Sequence, residues 1–195
     1  MAIWLIWGAV WLFTHETGDA IWFFSVHRSP FGDHFFKWIT HLGEGLTFVV
    51  IILAALFFSY RNALAITLTG LTVVLTSFLS KKIFGHYRPA AVLRNLDEWS
   101  QIQLVEGVDL HTGATSFPSG HTMAAFALFS LLAFQSSYKR LLSLLFFSLA
   151  LSVAVSRVYL VQHFVKDVYA GSVFGLLLAM LFYALQQRYF LNRSA

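Results

Sequence analysis

Apolar runs divided by polar interruptions organise this chain. Residues 1–13 carry no charge. The runs 46–60 and 63–79 are parted only by Arg61-Asn62, and 122–134, 141–156 and 168–185 supply three more. None alternates with the period of a lipid-facing barrel strand, and helices are the other way to satisfy backbone polar groups in lipid. The pattern predicts an all-α fold, an integral membrane six-helix bundle. Run 1–13 is the weakest, because it reaches only about 20 Å as a helix against a hydrocarbon core of about 30 Å. It lacks the basic start and cleavage site of a signal peptide, which makes it a membrane anchor. Residues 14–45 mix aromatics with charge (Trp22, Phe23, Phe24, His27, Arg28, Phe35, Phe36, Lys37, Trp38), the pattern of an interfacial segment. Arg61-Asn62 reads as a tight helical hairpin.

Composition agrees with the pattern. The hydrophobic fraction is 58% and the charged fraction 11%, against roughly a quarter charged in soluble domains. That excludes an ordinary soluble domain, a disordered chain, a coiled coil and a nucleic-acid binder. At 195 residues the chain is expected to form one membrane-embedded domain over 1–195. No cysteine is present, so disulfides and thiolate chemistry are absent. The net charge of +4 suits anionic headgroups or phosphates. With six crossings, the connections 14–45, 80–121 and 157–167 share one side and hold all nine acidic residues. Arg61, Lys139, Arg140, Arg188 and Arg193 lie on the other side without an acid. Basic short loops mark the cytoplasmic face, so the long connections are expected outside.

Three polar clusters fall at span ends, where an unpaired charge is costly and a function is the default expectation. They are Lys81 to Pro89, Ser116 to His121, and Ser156-Arg157 followed by His163 and Asp167. Lys81, Arg88 and Arg157 form a cationic receptor suited to a doubly charged phosphate. Ser119 and Gly120 sit where a helix begins, with free N–H groups that favour an anion. His163 and Asp167 are four apart and share a face if the helix starts early enough. A carboxylate on one ring nitrogen leaves the other as a lone-pair nucleophile. His121 is then suited to protonate a departing oxygen. Each residue alone also has a structural reading: snorkelling cations, a capping turn, hydrogen-bonded histidines. The conjunction of all of them at one membrane level favours chemistry.

Lys81-x6-Arg88-Pro89, Pro118-Ser119-Gly120-His121 and Ser156-Arg157-x5-His163-x3-Asp167 resemble the three-part signature of the type 2 phosphatidic acid phosphatase superfamily, in its order and spacing. The resemblance implies a membrane lipid phosphatase working through a phosphohistidine, with no cofactor and no metal. By resemblance His163 is the nucleophile, Asp167 orients it and His121 is the acid and later the base. Lys81, Arg88, Ser119, Gly120 and Arg157 make the phosphate cradle. The expected partners are a membrane lipid phosphate and the bilayer, with no nucleic acid and no obligatory protein. Phosphatidate, phosphatidylglycerol phosphate, undecaprenyl diphosphate and lipid A are open as substrates. The expected location is a bacterial inner membrane, with the site on its outer face. A transporter or binding protein for a phosphorylated solute uses the same cations but gives His163 and Asp167 no task.

Overall fold

The computed structural model describes residues 2–94 and 97–191. Met1 of the first run and Arg193 of the basic tail lie outside them, as do the side chains of Asp97, Glu98 and Lys139. The described residues are helical and form no strand. In order they make α1 (Ala2–Thr14), α2 (Asp19–Val26), α3 (Pro30–Ile39), a 3-10 turn (Thr40–Gly43), α4 (Gly45–Leu56) and α5 (Tyr60–Phe84). Next come α6 (Pro89–Leu93), a second 3-10 turn (Asp97–Gln101), α7 (Gly120–Gln135), α8 (Lys139–Tyr159) and α9 (Val165–Gln186).

Helix α7 is the axis of the bundle. It is apolar all round, as a wholly enclosed helix must be, and 11 of its 16 residues are buried. Its most extensive contacts are with α9 and α8. Two glycines one turn apart make the α9 contact possible. A Cβ on Gly171 would lie 2.7 Å from the Ser119 carbonyl oxygen, and one on Gly175 only 2.4 Å from that of Met123. Backbone therefore meets backbone, the packing that small residues permit between membrane helices. Helix α1 docks on α9 in the same way: Gly8 faces the Tyr169 ring, and Trp4 Nε1 donates to Ser172 Oγ at 3.0 Å.

The sequence-based crossings are met in part, and their bounds shift. Only α5 (continuing through α6), α8 and α9 are long and apolar enough to span among the described residues. A fourth is added if the α3–turn segment and α4, bent by 59°, count as one broken span. Helices α1 and α7 are apolar but shorter; 16 residues of α7 reach about 24 Å. Apolar runs alone do not give the number of crossings, because a short buried helix and a span look alike without length. The hairpin turn also moves. Ser59 accepts from Asn62 N at 3.3 Å and caps α5, so Arg61 and Asn62 already belong to its first turn. At the other end α5 continues to Phe84, which places Lys81 and Lys82 on its last turn.

The polar stretch after α5 is pinned over the bundle. Gln103 N donates to Ser25 Oγ at 2.8 Å and Lys37 Nζ to the Glu106 carbonyl at 2.9 Å. Helices α2 and α3 are fastened to α8 by Asp33, which takes Arg28 Nη2 at 2.7 Å and the Tyr159 hydroxyl at 2.6 Å.

Candidate active site

The turn between α8 and α9 brings Arg157 and His163 together. Val161 adopts φ 56°, a left-handed conformation that a β-branched residue holds only at a cost of about 1–3 kcal/mol. The turn this makes lets Gln162 N and His163 N both donate to the Arg157 carbonyl, at 2.9 and 3.1 Å. His163 is 1% exposed and Arg157 6%. Helix α9 begins only at Val165, so His163 precedes the helix and does not share a helical face with Asp167. Asp167 has two tasks here. Its Oδ2 accepts the Phe164 N–H at 3.0 Å, capping α9, and it lies 3.6 Å from His163 Nδ1, too far for a hydrogen bond. Ser116 fills the gap. Its hydroxyl donates to Asp167 Oδ2 at 2.5 Å, and its Oγ is 3.3 Å from His163 Nδ1. This chain assigns the proton to Nδ1 and leaves Nε2 with the lone pair. Burial holds the His163 imidazole down to about 4, partly offset by Asp167 and reinforced by Arg157 and Arg88. It is a neutral base at physiological pH.

The end of α5 and the loop before α7 supply the second wall. Gly85 ends α5 at φ 56°, a left-handed stop that glycine adopts freely. Arg88 N then donates to the Gly113 carbonyl at 3.2 Å and Ser116 N to the His86 carbonyl at 2.9 Å. That pairing sets Arg88 and Ser116 side by side. The Arg88 guanidinium reaches the Gln162 carbonyl at 3.3 Å and Thr115 Oγ1 at 3.4 Å. Arg157 Nη1 donates to Thr40 Oγ1 at 2.7 Å, while its Nε is buried without a partner among the described residues. Neutral oxygens hold both guanidiniums. No ion pair among the described residues includes Lys81, Arg88 or Arg157. Buried cations without counter-charge cost several kcal/mol each, a deficit that an anionic ligand offsets.

The start of α7 closes the site. Ser119 caps it by accepting Thr122 N at 3.4 Å, but its own N–H, expected from the sequence to be free for an anion, is taken by the Asp167 carbonyl at 2.9 Å. A Cβ on Gly120 would lie 3.1 Å from Ser77 Oγ and 3.7 Å from Lys81 Nζ, so glycine lets the ammonium approach the helix start. Lys81, Gly120 and His121 line the head of a cavity of about 600 Å³ whose remainder is almost wholly apolar and runs between α4 and α5 past Phe48, Gly70 and Val74. All eight residues expected from the sequence thus occur around one end of the bundle. Among the described residues, no three His, Asp or Glu side chains are grouped to hold a metal ion.

The PAP2 superfamily model matches residues 61–191, which contain all three motifs. The chain belongs to the PAP2 superfamily. Phosphatidylglycerophosphatase B of Bacillus subtilis (strain 168) is 35% identical over 166 residues, 79% of this chain and 75% of that protein. The fold is similar to that of Aquifex aeolicus LpxE (TM-score 0.74, 24% identity, 86% of this chain and 94% of that one). It is also similar to a transmembrane PAP2 type phosphatidylglycerolphosphate phosphatase from Bacillus subtilis (TM-score 0.57, 29% identity, 88% and 84%).

Within this PAP2 site, three residues escaped the sequence reading, Thr40, Gln162 and Glu44, and a fourth, Ser116, was placed in the second polar cluster but given no task. Ser116 adjoins a motif, and its place two residues before Pro118 was the only available signal. Thr40 and Glu44 lie before the matched region, and their partners are distant in sequence: Thr40 is 117 residues from Arg157.

Proposed function

We propose that this chain is an integral membrane lipid phosphatase acting on a phosphomonoester or diphosphate at the headgroup boundary. The observation that carries the reading is the pair of guanidiniums, Arg88 and Arg157, held by neutral oxygens beside a buried, neutral His163, with the Lys81 ammonium near the start of α7. The site is a receptor for a dianion with a nucleophile built into it. The apolar cavity opening from Lys81 and His121 supports a lipid as the bearer of that phosphate, since a chain can stay in the groove while the headgroup enters the site.

In this mechanism His163 Nε2 attacks phosphorus as the bond to the lipid oxygen breaks, and His121 gives that oxygen a proton. Asp167, through Ser116, holds the Nδ1 proton and stabilises the charge that develops on the ring. Lys81, Arg88, Arg157 and the N–H of Gly120 stabilise the charge on the phosphoryl oxygens. Water then attacks the phosphohistidine, His121 takes the water's proton, and the P–N bond breaks to release phosphate. One domain over 1–195 is proposed to cross the membrane six times, with α1 and α7 as thin crossings and α2 and α3 at the interface. Arg61, Arg140 and Arg188 would face the cytoplasm of a bacterial inner membrane, and the site would face outward.

Phosphate release by the detergent-solubilised protein tests the reading. The substrate panel is phosphatidate, phosphatidylglycerol phosphate, a polyprenyl diphosphate and lipid A. At least one is expected to turn over, His163→Ala is expected to lose about 10³-fold or more, and a chelator is expected to leave the rate unchanged. Loss of activity on chelation, or full activity in His163→Ala, would overturn it.

A further inference from the structure

The Thr40–Gly43 turn and the residue after it form a fourth wall of the site, outside the three motifs and outside the matched region 61–191. Thr40 holds Arg157. Glu44 lies at the 59° break before α4 and lines the same cavity as Lys81, Gly120 and His121. Gly43 brings it there: a Cβ on Gly43 would lie 2.7 Å from the His121 carbonyl oxygen and 3.0 Å from the His121 Cβ. The turn therefore rests directly on the first residues of α7. Glu44 Oε1 is 2.7 Å from His41 Nδ1 and 3.8 Å from His121 Nε2.

We infer that Glu44 is a positioning residue that keeps His121 in its proton-donating form, resting on the phosphatase reading above. The groups around His121 are Lys81 from α5, Arg88, Arg157 and His163 from the cradle, and Glu44 with His41 from the fourth wall. Burial first, and then the cations that the cradle needs to hold phosphate, oppose a positive charge on this imidazole. Asp167 is engaged with Ser116 and the start of α9. Glu44 is the carboxylate on the cavity side of His121. At 3.8 Å it is too distant to capture the Nε2 proton in a hydrogen bond, yet near enough for its charge to favour the imidazolium. His41 fixes the carboxylate from behind. During turnover the proton moves from His121 to the leaving oxygen and returns from water, without passing through Glu44.

Leaving-group dependence tests this. An alkyl lipid phosphate needs protonation of its departing oxygen, whereas p-nitrophenyl phosphate releases a stable anion without it. Glu44→Gln keeps the side-chain volume and an oxygen for His41. It is expected to lower kcat on the lipid phosphate by about tenfold or more, to lower it on p-nitrophenyl phosphate by less than about threefold, and to move the alkaline limb of kcat/KM to lower pH. Glu44→Asp, which retains the charge, is expected to fall between wild type and Glu44→Gln. Equal losses on both substrates, or a wild-type pH profile in Glu44→Gln, would overturn the inference. Wild type and His163→Ala assayed in parallel keep the two readings separable: a wild type inert on every phosphate refutes the phosphatase reading instead.

Discussion

The two histidines of the site stand in opposite surroundings. His163 is enclosed, fixed on one side by Ser116 and Asp167 and flanked by Arg157 and Gln162. His121 leaves 33% of its side chain exposed and faces the mouth of an apolar cavity beside a glutamate that is 40% exposed. The difference separates two requirements. A nucleophile gains from rigid orientation and from exclusion of water, which keeps its ring neutral. A proton donor must meet leaving groups of varied shape and regain its proton from water, so its side of the site has to stay open.

That contrast is sharpest on the enclosed side. Asp167→Asn removes the charge that supports the developing imidazolium and is expected to cut kcat by about 10²-fold or more, with KM little changed. Ser116→Ala, which leaves Asp167 in place at 3.6 Å, is expected to lose about tenfold. Ser116→Thr retains the hydroxyl and is expected to recover most of that loss. Equal kcat in all three variants and wild type would show that the enclosed side does not orient the nucleophile.

Acidity probes the same side. Burial lowers His163 to about 4, so the lone pair is present above that pH and is lost as pH falls through it. Corrected for the substrate's own phosphate ionisation, kcat/KM is expected to hold down to about pH 4 and to fall tenfold per unit below. An acid limb near the ordinary histidine value would show that the ring is not enclosed. The smallest effect belongs to the open side. Gly70 faces the Phe48 ring, and a Cβ there would lie 2.8 Å from it. Gly70→Leu is expected to raise KM for a long-chain lipid phosphate by about tenfold, the equivalent of about 1.4 kcal/mol, and to leave a short-chain phosphate within about threefold.

How much of this was legible in the sequence followed from which residues advertise themselves. Lys81, Arg88 and Arg157 stand out because charge is rare in an apolar chain, and Pro118-Ser119-Gly120 reads as a helix start from local chemistry alone. Ser116 and Thr40 are ordinary hydroxyl residues whose meaning depends on partners 51 and 117 positions away, a relation that no local pattern encodes. The helical class was plain from the apolar runs. The number of crossings was not, because α1 and α7 are apolar but shorter than the bilayer core, and an apolar run alone does not tell a thin crossing from a core helix. His163 was expected to share a helical face with Asp167 only if the helix started early enough, and α9 starts at Val165. The aspartate instead caps the helix, and a hydroxyl from another segment bridges to the ring.

The bond from Ser119 N to the Asp167 carbonyl, with Gly171 packed against the Ser119 carbonyl, joins the start of α7 to the first turn of α9. Neither can slide along its neighbour without breaking that stitch, so a membrane that thins or stretches is expected to tilt the pair as one piece. On the proposed mechanism, the geometry that holds phosphate would thereby be insulated from the thickness of the sheet in which the protein floats.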